Sequence, residues 1–161
     1  MVKNLLTILL LFFSFHVVGQ ETNLKIGSLS NGTFTITESQ KNLVKAFEWT
    51  FRDGTKVSEI GIEQFNQAYY LVAICTNQNK KRLAAVNLDL EGIDFILRED
   101  AFFKTCSAVA CENCSFFVEN NKIVACKCES TGTISNHCHY KLSNAASFYN
   151  NVIRAKKMFD E

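Results

Sequence analysis

The sequence predicts an α+β fold: one helix against a four-strand antiparallel meander, then a small disulfide-rich hairpin module and a C-terminal helix. Three observations predict it. Apolar side chains repeat at helical spacing from Leu43 to Phe51. Four strand-like runs follow, separated by breaks too short for parallel crossovers. Six of the seven cysteines then fall within 33 residues.

The chain begins with an address. Lys3 is the single charge in the first 19 residues, and Leu5 to Val18 is almost wholly apolar. As a helix that run spans roughly 21 Å, short of a membrane core of about 30 Å. Gly19, followed by Gln20 and Glu21, fits the cleavage region of a secretory leader, so residues 1–20 are expected to be removed. Without the leader the formal charge falls from +1 to zero. That balance excludes a polybasic nucleic-acid binder, and the 47% apolar content excludes a disordered chain. The expectation is a protein secreted, or held in the periplasm or cell envelope, with no membrane span once the leader is gone. Export would deliver the cysteines to an oxidising space, where disulfides persist.

Residues 21–100 are expected to form the helix-plus-sheet domain. Asn31-Gly32, between LKIGSLS and TFTIT, favours positive φ at both central positions of a tight hairpin turn. Thr37 and Gln40 have capping-box spacing. A helix is predicted over about 38–51, buried along Leu43, Val44, Phe47 and Phe51, with Gly54 as its stop. Strands are predicted at 56–65, 68–76, 82–90 and 93–98. The second run is apolar on both faces and suits a central strand; its Cys75 reads as a small buried residue with a free thiol. A helix ahead of such a meander should lie across the sheet. Over residues 38–98 this order resembles the cystatin-like arrangement in topology alone. The inhibitory Gln-x-Val-x-Gly hairpin of that family is absent, the corresponding turn reading TNQNKK, so protease inhibition is not implied.

Residues 101–142 carry Cys106, Cys111, Cys114, Cys126, Cys128 and Cys138 and read as a module stapled by disulfides. Asn120-Asn121 predicts a hairpin from about 115 to 127, which would bring Cys111 and Cys114 near Cys126 and Cys128. Six cysteines allow 15 connectivities. The favoured one joins Cys111 and Cys114 to Cys126 and Cys128 in some order, leaving Cys106 for Cys138. No cofactor is expected. The alternative is zinc, held by Cys111, Cys114, Cys126 and Cys128 with His137 or His139. Cys106-x4-Cys111-x2-Cys114 has plant-type ferredoxin spacing, but Cys126 follows too soon, and a Sec-type leader does not suit a cluster assembled before export. CENC matches thioredoxin in spacing only, with no βαβ unit ahead of it and no cation beside the thiols. A leader, an α/β-meander and a CxxC-x-F…CxC tail, carried here by Cys111, Cys114, Phe116, Cys126 and Cys128, resemble small secreted proteins of Bacteroidota. That resemblance implies secretion and no particular activity.

A terminal helix is expected over 143–161, its start placed between Leu142 and Asn144, with Phe148, Val152, Ala155 and Phe159 on one face. Lys80-Lys81-Arg82 reads as a solvated hairpin tip. No GxSxG, HExxH or phosphate-loop motif occurs. The expectation is therefore a disulfide-stabilised binding or structural module rather than an enzyme, with a protein or small-molecule partner and no nucleic acid. The alternatives are a zinc-binding module and a thiol–disulfide oxidoreductase.

Overall fold

Asparagine and glycine set the first turn. In the computed structural model, which describes residues 23–134 and 137–160, Asn31 and Gly32 both take positive φ, 50° and 76°. They join β1 (Asn23–Ser30) to β2 (Thr33–Ile36). The expected leader lies outside the described residues.

α1 (Gln40–Phe51) follows and buries Leu43, Ala46 and Phe47 with Asn42. Val44 and Phe51, expected on the buried stripe, are only half-buried. The expected capping box does not form: no side chain caps the helix, and the Ser39 amide donates to the carboxylate of Glu38. Arg52, not Gly54, ends the helix in the left-handed conformation at φ 57°. One such residue is enough to turn the chain, and its amide returns to the Glu48 carbonyl.

The meander is β3 (Lys56–Phe65), β4 (Ala68–Asn77), β5 (Lys80–Glu91) and β6 (Asp94–Arg98), each antiparallel to the next. β5 is the hinge of the whole sheet. One edge pairs with β4 along most of its length. The other edge is divided. Arg82–Val86 pair with β7 (Phe102–Ala108), and Asp89–Glu91 pair with β6. Two branches leave this fork, β6-β1-β2 and β7-β10, where β10 is Cys138–Asn144. The segment 101–142 therefore gives two strands to the eight-stranded sheet. Only β8 (Cys114–Glu119) and β9 (Lys122–Cys128) form a separate hairpin. Leu142 to Asn144, expected at the start of the terminal helix, belong to β10, and α2 runs Ala146–Phe159. The Asn144 carboxamide oxygen still accepts the Ala146 amide, at 2.6 Å.

Alternation gives the sheet two apolar faces. Leu71, Ala73, Cys75, Ala84, Val86, Leu88 and Phe103 point toward the helices. Tyr70, Val72, Leu83, Ala85, Cys106 and Ala108 point the other way, into the β8–β9 hairpin. The first face is curled. Phe34 of β2 reaches Tyr69 of β4 and Phe95 of β6, with ring centroids 5.8 and 5.7 Å away. α1 and α2 cover the rest of the concave side: Phe47 lies 4.4 Å from Phe148, and Trp49 stacks on Phe159. The result is three layers, with helices in front, sheet in the middle and hairpin behind.

Candidate functional site

The hairpin is fastened by three disulfides. Cys106 of β7 bonds Cys126 of β9, Cys111 bonds Cys128 of β9, and Cys114 of β8 bonds Cys138 of β10. Their Cα–Cα separations are 5.7, 5.9 and 5.9 Å, ordinary for such bridges. This corrects the expected pairing of Cys106 with Cys138. Those two residues lie on neighbouring strands, opposite Tyr140 and Ala108 respectively, and both face the hairpin. The hairpin lies flat against that face, burying Phe116, Ile123 and Cys126. Each of the two sheet cysteines therefore meets a hairpin cysteine. Cys111–Cys128 instead ties the loop before β8 to the end of β9.

The sulfurs of Cys111, Cys114 and Cys138 lie within 4.8 Å of one another. Cys126, Cys128, His137 and His139 are not in this group. His139 cannot approach it readily, since it alternates with Cys138 to the opposite face of β10. The two cysteines of CENC bond to different partners, not to each other. Cys75 is the free thiol among the described cysteines, fully buried, and burial pushes it up to about 12.

A second feature lies on the front of the sheet. Where α1 ends, the helices leave part of β5, β7 and β10 uncovered, and a depression of about 270 Å³ opens there. The register explains its contents. Arg82, Ser107 and His139 form one cross-strand row, and Ala84, Thr105 and Lys141 form the next. Val86, Phe103 and Ser143 make the third row, closing onto the core. Thr50, Phe51 and Asp53 supply the rim from α1 and the turn after it.

Arg82 is the best-held of these side chains. Its Nε donates to the Ser107 hydroxyl at 3.0 Å. One terminal nitrogen donates to Asp53 at 2.6 Å and to the Thr55 hydroxyl at 2.7 Å. The guanidinium also lies 4.8 Å from the centre of the Phe51 ring. Burial would raise the Asp53 carboxyl, but the hydrogen bonds from Thr55 and Arg82 outweigh it and hold the group at about 2. Arg82 is not at a hairpin tip: Gln78 and Asn79 make the turn, with φ of 49° and 64°. Lys141 and His139 have no carboxylate within ion-pair distance among the described residues. Alternation from Ala84 and Val86 back to Arg82 was the sequence signal for this face.

Lys104 of β7 is also unusual. It is buried on the back face, its Nζ donates to the Asn87 carboxamide oxygen, and the Tyr70 and Phe102 rings flank it. Burial, aided by Lys122, lowers it to about 8. No protein-family model, curated protein or solved structure matches the chain.

Proposed function

We propose that this is an exported, non-enzymatic binding module. Its β8–β9 hairpin acts as a clasp behind the sheet, and its ligand enters the depression in front. The observation that carries the reading is the set of three bridges, two of which join the hairpin to β7 and β10. In the chain-entropy view, loops of this length stabilise by about 3 kcal/mol each. β10 also carries His139, Lys141 and Ser143 into the depression, so the clasp holds one wall of the binding site in place. Such a framework suits a space where thiols are oxidised. Among the described residues no helix is long and apolar enough to cross a membrane.

A second reading is favoured by one observation, the three sulfurs within 4.8 Å. In a reducing space Cys111, Cys114 and Cys138, joined by Cys128, would offer thiolates to zinc. One experiment separates the two. The full chain is expressed with its leader in a bacterial host, and the exported and cytosolic fractions are analysed for N-terminus, free thiol and metal. The binding-module reading expects a chain processed after Gly19 or Gln20, exported, with one thiol and no stoichiometric metal. An unprocessed chain kept in the cytosol with about one zinc would sink it.

A further inference from the structure

We propose that the depression at the end of α1 recognises an oxyanion, the carboxylate, phosphate or sulfate group of a small polar molecule. The inference rests on the binding-module reading and names the ligand class for it.

Three observations on different strands converge. Arg82 is fixed by Asp53, Thr55 and Ser107, bonds that use its Nε and one terminal nitrogen. The second terminal nitrogen makes no bond among the described residues, so a held, planar donor group remains for an incoming acceptor. Lys141 adds a cation two strands away, and among the described residues neither it nor His139 is paired with an acid. The hydroxyls of Thr105 and Ser107 line the strand between them and can donate to oxygen as well.

The charge count has a consequence. Asp53 is the acid on the rim, and its charge is matched by Arg82. The Lys141 charge is left over. A depression of about 270 Å³ suits a small molecule rather than a peptide. Sources of the anion differ in what surrounds it, so neutral and charged sugars separate recognition of the charge from recognition of hydroxyls.

The test uses the oxidised full-length mature chain, labelled with ¹⁵N, at constant ionic strength. Inorganic phosphate, sulfate, glucuronate and glucose are titrated in turn. Saturable shifts centred on the amides of Thr105, Ser107, His139 and Lys141 are expected for at least one anion and none for glucose. The double variant His139→Ala/Lys141→Ala changes two exposed residues on an edge strand and should keep the fold. It should weaken anion binding at least tenfold, whereas Lys157→Ala, which removes an equal charge from the end of α2, should not. Glucose binding as tightly as glucuronate would overturn the oxyanion while leaving a binding site. No saturable shift with any anion, or equal weakening in Lys157→Ala, would also overturn it. A thiol count on the same samples judges the clasp independently.

Discussion

Two buried groups on opposite faces of the sheet give the protein an unusual alkaline stability profile. Lys104 falls from the ordinary lysine value of 10.5 to about 8. Between these values the unfolded chain holds a proton that the folded chain has released, so stability rises with pH. Cys75 moves the other way, from 9.0 to about 12, so between those values the folded chain keeps the proton and stability falls. Tyr140, also raised by burial, adds to the fall above its ordinary value of 10.0. Urea unfolding of the oxidised chain should therefore show a rise from pH 8 to 9, a near-flat stretch to about 10, and then a decline. Lys104→Met should abolish the rise, and Cys75→Ala should extend it. A monotonic fall from pH 8 in both wild type and Cys75→Ala would contradict the burial of the Lys104 amine. Gly27 tests the curl at the same scale. A β-carbon there would run into the Thr35 carbonyl oxygen and come within 2.8 Å of the Ile62 Cδ1 on β3. Gly27→Ala should cost about 1–3 kcal/mol in the same unfolding experiment; no cost would mean that Thr35 of β2 and Ile62 of β3 do not crowd Gly27 this closely.

At the scale of elements, the helix pair covers the concave core. Phe148 of α2 is fully buried, tilted against Phe47 of α1 and Phe103 of β7. Phe148→Ala should cost about 3–5 kcal/mol, read from denaturant midpoints, because the ring fills space between three elements. A loss under about 1 kcal/mol would mean that α2 is not docked. The helix and the meander were legible in the sequence because their signals are local. Apolar spacing marks α1, and Asn31-Gly32, Asn66-Gln67 and Glu91-Gly92 mark strand ends. β7 and β10 were missed for a physical reason. FFKTCSA alternates as a strand should, but its cysteine draws it into the stapled segment. In CHYKLSN, Ser143 and Asn144 look like helix caps, and Asn144 does accept the first amide of α2 after serving as strand. Arg82 was hidden in a run of like charges, of which only Lys80 is exposed once the turn falls at Gln78-Asn79. Disulfide partners depend on how the hairpin lies against the sheet, a long-range fact that spacing along the chain does not encode.

At the scale of the molecule, the layers divide the work. The hairpin packs Phe116 and Ile123 into the back of the sheet and shares a core there with Tyr70, Val72, Leu83 and Ala85. The disulfides hold it there and, through Cys138, hold β10, which among the described residues is an edge strand paired with β7. The wall of the front depression is thus secured from behind. This claim is tested most directly by digesting the protein at acid pH without reduction, with thiols alkylated first, and sequencing the linked peptides by mass spectrometry. The account predicts the links Cys106–Cys126, Cys111–Cys128 and Cys114–Cys138, with a single alkyl group on Cys75. A link between Cys106 and Cys138 would detach the hairpin from the sheet and contradict it, and a link between Cys111 and Cys114 would release Cys138 from β8 and contradict the hold on β10.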